Sequence, residues 1–513
     1  MTISASEIAK LLVDCETKGP AFSYVCTDES RTPVQIAADG AEIFVVSDLH
    51  LADGQRKDGR YGGTENFFCD ESFRRFLRHA HANLRAPNAM LIINGDFIDF
   101  LRVVYRPRQK EDFSEWEELL EAIGIPRPAS ELRASIKWKE RKYGLRTNDY
   151  KSVLKLAIVV KGHPDFFEAL AEWLGSGHRI VVVKGNHDLE WYWQPVRNYF
   201  RLVLAQRFAL QASTTDLKSV LEKIVLPNVR FIDDSMVVDG DFYVEHGHFY
   251  DKYAHVVGKA VRPSGKELNI PFGSFLNRYL LNRLELNLPF LDNVRPTTNI
   301  LPLMIREHLP VALELLFRHI PFMVKIIPKF YFRYMFSQLF WFFFLVILVI
   351  APVALIAWLI LGMFGIGLDL GLTTPSQPKS FLHKAVLNSL TSLGVMVFSY
   401  VLGRIVSWLK LVEPSDLTKY AREKLAEMHQ DRLITFGHTH NPDQFRQGER
   451  WFFNTGTWIP IVEISSAALR EDKTYTFLHL RPDCNGRLSG ALWRWNDDSG
   501  RVEGAVVIAP AKE

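Results

Sequence analysis

Asp48 and His50 sit in SDLH, Asp96 and Asp99 in NGDFID, and Asn186, His187 and Asp188 in GNHD. Further along come His246 and His248 in EHGH, and His438 and His440 in GHTH. Mixed carboxylate, amide and imidazole donors suit borderline divalent ions such as Mn, Fe or Zn better than Ca or Mg alone. In D-x-H and H-x-H the spacing of two puts both side chains on one face of an extended segment, so each pair can grip a metal from one side. Two metals about 3.5–4 Å apart do specific work in phosphoryl transfer: they lower the pKa of a bound water and neutralise charge on the phosphoryl oxygens. They also need a shared carboxylate to hold them against their own repulsion. Each motif alone is a weak signal. The ordered set, with glycine beside its members to admit close backbone approach, points to a dinuclear metal site.

The elements that must position these residues are apolar strands. EIFVV runs into Asp48, MLIIN into Asp96, RIVVV into Asn186, FYVE into His246 and RLITF into His438. In layered α/β folds ligands bind beyond the carboxyl ends of strands, so five strand ends are expected to converge on one site. Helical spacing covers 71–86, and 101–178 reads as mostly helical and charged. The C-terminal stretches WFFNTGTWIPIVEI, TYTFLHL and GALWRWNDDSGRVEGAVVIA alternate and carry turn residues, as closing β-strands do.

The order DLH, GDFID, GNHD, HGH, GHTH resembles the calcineurin-like metallophosphoesterase superfamily over residues 42–260 and 431–460. The resemblance implies an α/β fold, a four-layer β-sandwich flanked by helices. It implies a first metal held by Asp48, His50, Asp96 and His440 and a second by Asp96, Asn186, His246 and His438, with Asp96 as the bridge. His187 would assist the leaving group and Asp99 would orient it, so His187 and Asp99 are the expected catalytic pair. A His held by a carboxylate is a reasonable acid. Asp188 and Glu245 are expected to be structural, and His248 to support the site or touch substrate. Protein phosphatases of the superfamily carry Arg-Gly after GDxxD and Glu after GNH, where this chain has Phe100-Leu101 and Asp188. SDLHL is similar to the UDP-2,3-diacylglucosamine diphosphatases, which carry Arg where this chain has His187. The implied cofactors are two divalent transition-metal ions, manganese favoured. The implied activity is hydrolysis of a phosphate ester or pyrophosphate, lipid-linked substrates included. Two alternatives are a non-catalytic membrane scaffold on the same fold and a nucleotide or nucleic-acid phosphodiesterase.

Bulk properties narrow the setting. The chain has 513 residues, enough for several domains. Its net charge of +3 gives no case for a nucleic-acid partner. Four scattered cysteines without a CxxC pair read as reduced thiols. The first residues, MTISASEIAKLLVDCETKG, mix charges into each apolar run, unlike a secretory signal. Between Arg333 and Asp369 there is no charged residue, and a second uncharged stretch runs from Ala385 to Gly403. Both are long enough to span a bilayer. The reading is therefore a metallophosphoesterase domain in two parts, 1–260 and 410–513. They are separated by an amphipathic, membrane-interfacial region at 261–333 and a transmembrane hairpin at 334–409, with spans at about 337–365 and 385–403. Basic residues flanking the hairpin place the catalytic side in the cytoplasm, making the chain an integral protein of a bacterial inner membrane.

Overall fold

The computed structural model describes residues 5–16, 32–56, 58–251, 253–256, 258–285, 294–295, 310, 417–427, 432–464, 469–472 and 474–505. The chain divides into two compact units, one made of Met1–Leu315 and Pro414–Glu513 and the other of Leu316–Glu413. All described residues belong to the first.

The strands are β1 (Val34–Ile36), β2 (Glu42–Val46), β3 (Ala89–Asn94), β4 (Arg179–Val183), β5 (Val229–Ile232), β6 (Ser235–Val238), β7 (Phe242–Glu245), β8 (Val294–Arg295), β9 (Leu433–Phe436), β10 (Asp443–Gln447), β11 (Arg450–Asn454), β12 (Ile461–Ile464), β13 (Leu469–Asp472), β14 (Thr476–Pro482), β15 (Leu488–Asn496) and β16 (Arg501–Gly504). They form a seven-stranded sheet in the order β16-β15-β14-β2-β3-β4-β5, a six-stranded sheet in the order β1-β6-β7-β9-β11-β10, and a small sheet β13-β12-β8. Within the first, β2 to β5 are mutually parallel. In the second, β7, β9 and β11 are parallel.

Alternation along each strand explains the layering. Ile43 and Val45 of β2, Met90 and Ile92 of β3, and Val181 and Val183 of β4 pack with Met236, Val244, Leu433 and Phe453 of the other sheet. Their neighbours Phe44, Val46, Leu91, Ile93 and Val182 point the other way, into the helices Asp70–Ala82, Asp149–Gly162, Pro164–Gly175 and Gln194–Gln211. On the far side, Tyr243, Ile434, Phe436 and Phe452 pack on the helix Leu417–Glu427. Both faces of the parallel strands are covered, which is why they read as unbroken apolar runs rather than as alternating ones. Fully burying one such side chain contributes about 1.5–3 kcal/mol.

The expected transmembrane hairpin is corrected here. Among the described residues no helix is long and apolar enough to cross a membrane. The longest, Gln194–Gln211, carries Arg197, Arg201 and Arg207, and ionised side chains are costly inside a bilayer. The stretches at 337–365 and 385–403 lie outside the described residues. The architecture is thus a mixed α/β fold with two main sheets. The integral-membrane localisation and the membrane partner lose the element on which they rested. The described part of the expected interfacial region also differs: at 272–285 it buries Ser274, Asn277, Arg278, Asn282 and Glu285.

Candidate metal centre

Strands β2, β3, β4, β7 and β9 each end one to three residues before a candidate ligand: Asp48, Asp96, Asn186, His246 and His438. The loops beyond β2 and β3 are stitched together by backbone bonds: Asp48 N donates to Gly95 O at 3.2 Å and His50 N to Asp96 O at 2.9 Å. From the other sheet, His438 N donates to Asp48 Oδ2 at 3.0 Å and Thr457 Oγ1 to the Asp48 carbonyl at 2.6 Å.

Nine non-glycine residues among those described have positive φ, and five of them are Asp48, His50, Asp96, His438 and His440. Left-handed backbone is sparsely populated by residues with a Cβ and costs about 1–3 kcal/mol where the surroundings enforce it. Its concentration here means the loops are wound to aim side chains inward. Glycines make the winding possible. A Cβ on Gly95 would collide with the His246 ring, one on Gly185 with the Asp96 carboxylate, and one on Gly437 with Asp48.

The side chains then meet. His440 Nε2 lies 3.4 Å from Asp48 Oδ1 and 3.1 Å from His50 Nε2. His50 Nε2 is 3.8 Å from Asp96 Oδ2, and His246 Nε2 is 3.2 Å from the same oxygen. Three groups could each hold a metal ion: Asp48 with His50 and His440, Asp96 with His246 and His438, and His50 with Asp96 and His187. Asp96 belongs to two of them. Asp48 Oδ1, Asn186 Oδ1 and His246 Nε2 are buried without a hydrogen-bond partner. Leaving a buried polar atom unsatisfied costs about 1–3 kcal/mol, and Asp48 Oδ1 and His246 Nε2, 4.0 Å apart, fit a pair of donors suited to a cation.

The imidazoles are fixed from behind. His246 Nδ1 donates to Asn94 O at 2.8 Å, turning Nε2 toward Asp96. His50 Nδ1 donates to Asp99 Oδ2 at 3.1 Å, turning its Nε2 toward Asp48 and Asp96. His438 Nε2 is held by Asp251 Oδ2 at 3.2 Å. A second-sphere oxygen on the far ring nitrogen is the usual way to set the tautomer of a metal-binding histidine.

Electrostatics agree with that design in the metal-free protein. Burial by itself would raise Asp48 and Asp96, but the charge of His246, aided by His440 for Asp48 and by His187 for Asp96, holds both carboxyls below their usual range. His246 is pushed up to about 9: burial opposes the shift, and the charges of Asp96 and Asp48 overcome it. Asp188 is raised to about 7 by burial and by the like charge of Asp96.

His187 occupies a different position. Its backbone N–H donates to Asp96 Oδ1 at 2.8 Å, and its ring Nδ1 to Asp99 Oδ2 at 2.8 Å. The side chain is 15% exposed, against 4% for His50, so of these two it is the one that reaches toward solvent. Asp99 is fully buried and stays ionised: burial works against this, and His187 and His50 outweigh it.

Asp188 accepts from Gly185 N, Phe97 N and Trp191 Nε1 and so ties the loop after β4 to the loop after β3. Glu245 accepts from Tyr243 Oη at 2.6 Å. His248 is buried with both ring nitrogens unpartnered, 5.5 Å ring to ring from His246, but it joins none of the three groups. Burial and the nearby His246 and His438 keep it neutral.

Sequence reading missed Asp251, which had only the short HGHFYD run to mark it. It also missed Glu65, whose carboxylate accepts from Ala52 N, Gly54 N and Phe67 N and so holds the loop after His50. His163 Nε2 backs Glu65 at 3.2 Å, and its Nδ1 faces Asp70 at 2.9 Å. No local motif announces this contact, because the partners come from residues 65, 70 and 163.

Compared with known proteins, the chain matches no family model and no curated protein.

Proposed function

We propose that this chain is a metal-dependent phosphoesterase of the calcineurin-like type, hydrolysing a phosphate ester or anhydride. The observation that carries the reading is the convergence of Asp48, His50, His440, His246 and His438 around Asp96, with Asp48 Oδ1 and His246 Nε2 buried and unpartnered. Asp48, His50, Asp96 and His440 would hold one divalent transition-metal ion, and Asp96, Asn186, His246 and His438 a second, with manganese the favoured metal. Bound there, such ions supply a hydroxide at neutral pH and neutralise the phosphoryl oxygens.

The rest of the chemistry falls to the protein. Asp99 accepts a hydrogen bond from His187 Nδ1–H and stays ionised, which leaves Nε2 to carry the proton that the departing oxygen needs. The same carboxylate holds His50 in the ligand tautomer, so one residue orients a metal ligand and the acid together. Retention of every donor in the motif set argues against a decayed scaffold. The charge of +3 argues against a nuclease that relies on a basic groove.

Two measurements test the proposal. Elemental analysis of the purified chain should find bound transition metal. Hydrolysis of bis-p-nitrophenyl phosphate and p-nitrophenyl phosphate should depend on it and stop with a chelator. A chain that binds no transition metal and cleaves neither ester would sink the reading.

A further inference from the structure

Residues 272–285 form one helical stretch, with α-turns at Phe272–Leu276 and Asn282–Glu285 around a π-turn at Asn277–Leu281. Inserted π-turns commonly mark functional sites. Its polar residues Ser274, Arg278, Asn282 and Glu285 are buried and bond to loops at the metal centre or near it. Ser274 Oγ donates to Asn186 O at 3.3 Å, Arg278 Nη2 to Gly144 O at 2.8 Å, and Asn282 Nδ2 to Leu101 O at 2.7 Å. At the end of the stretch, Glu285, fully buried, grips Arg102 with both oxygens, at 2.6 Å and 3.2 Å. Arg102, itself 1% exposed, turns its Nε toward Asp99 Oδ2 at 3.3 Å. That is the oxygen that takes His187 Nδ1 and His50 Nδ1.

We propose that Glu285 is a positioning residue for the hydrolytic step: by neutralising and fixing Arg102 it sets the Asp99 carboxylate that aims His187 and His50. The inference rests on the phosphoesterase reading. A bidentate guanidinium–carboxylate pair fixes orientation as well as charge. With the Glu285 charge gone, the full positive charge of Arg102 bears on Asp99 and competes with both imidazoles for one oxygen. Glu285 lies 98 residues beyond His187 in the chain and carries no motif, so it acts on the reaction only through Arg102 and Asp99.

The test compares two monoesters, p-nitrophenyl phosphate, whose leaving group needs no proton, and phenyl phosphate, whose leaving group does. Glu285→Gln in the full-length, Mn-loaded chain should keep the wild-type metal content and KM. Its kcat on phenyl phosphate should fall by about 10–100-fold, the usual effect of removing a residue that orients a site from behind. The fall on p-nitrophenyl phosphate should be much smaller. Added to His187→Ala, the change should have no further effect. In the diamagnetic Zn-loaded protein, the His187 Nδ1 proton hydrogen-bonded to Asp99 should broaden in the NMR spectrum of the variant relative to wild type. If Glu285→Gln does not fold, the charge-free pair Arg102→Met with Glu285→Leu reads the same quantities. An equal fall on both esters, loss of metal, or a kcat within twofold of wild type on both would overturn the proposal. A wild-type chain that binds no transition metal and hydrolyses neither monoester nor bis-p-nitrophenyl phosphate overturns the parent reading and this one with it; for a wild type active only on diesters the same comparison is made between bis-p-nitrophenyl and diphenyl phosphate. An active wild type with an unaffected variant overturns this one alone.

Discussion

Two buried polar clusters in this molecule look alike by composition and differ in what they leave undone. Around Asp96, buried carboxylates and imidazoles crowd together on left-handed backbone, and several of their atoms have no partner. Around the helix Asp149–Gly162, Lys151 meets Glu140 at 2.7 Å and Lys155 meets Glu190 at 3.2 Å, all four buried. There Glu140 also accepts from Lys137 N and Arg146 N, and Lys151 donates to Ser135 O. None of these four side chains has a buried atom lacking a hydrogen-bond partner, and none of the four residues has positive φ. Burial of charge therefore does not mark a functional site. Unmet demand on an enforced backbone does, because only an absent ligand can repay it.

The sharpest way to break this contrast is Asp96→Ala. Removing the residue shared by two candidate metal groups should drop metal content toward zero, not by half. With it should go the several kcal/mol of transition-state stabilisation that metals provide, a rate loss of at least about 10³-fold. Two ions per chain in that variant would end the bridging role. Next comes His187→Ala, expected to keep its metal while the rate falls about 10²–10⁴-fold. Metal and rate falling together would make His187 a ligand, as its place beside His50 and Asp96 allows. On the other side of the contrast, Glu140→Gln leaves Lys151 unpaired in the interior. Stability should fall by about 3–5 kcal/mol in urea unfolding, with metal content and kcat of the surviving folded protein unchanged. A drop in kcat would show that the two clusters are coupled.

The smallest effect concerns His163, which shares the satisfied character of the second cluster although it backs the loop after His50. Its imidazole is held up at about 10: burial would lower it, but Glu65 and Asp70 more than offset burial. A raised imidazole pKa contributes stability that is fully present below the unfolded value of about 6.5 and is lost as pH rises through about 10. The gap in thermal midpoint between wild type and His163→Gln should therefore narrow as pH rises across that window. A gap independent of pH would mean that packing, not charge, accounts for His163.

What the sequence made legible was local and repetitive. Five apolar runs, each followed within a few residues by Asp, Asn or His, are β2, β3, β4, β7 and β9. Of the residues singled out after them, Asp48, His50, His187, His246, His438 and His440 fall with Asp96 into three small groups that could hold a metal ion. The helix expected at 71–86 is Asp70–Ala82. Contacts assembled from distant positions stayed hidden. Asp251 on His438, Glu285 on Arg102 and His163 on Glu65 bridge 187, 183 and 98 residues and follow no periodicity. The segment at 272–285 misled for a physical reason. Apolar residues at helical spacing with interleaved Arg and Asn describe a membrane-surface helix and a helix whose polar stripe is buried on a polar site equally well. Only the partners of Arg278 and Glu285 tell the two apart.

Because β9 lies beside β7 and β14 beside β2, the six-stranded sheet is incomplete until the chain has emerged from the ribosome through Asn454 and the seven-stranded one until it has emerged through Gly504. Until β9 and β14 follow, β7 and β2 are sheet edges with open hydrogen-bonding rows, templates for the wrong neighbour. A nascent chain would already hold Asp48, His50, Asp96, Asn186 and His246, yet lack the two histidines of GHTH. The same arrangement makes the joint between β7 and β9 tolerant of length. Closing a loop costs only about 0.6 kcal/mol more for each doubling, so over evolutionary time this joint can accept or shed a whole segment while the centre it interrupts stays the same.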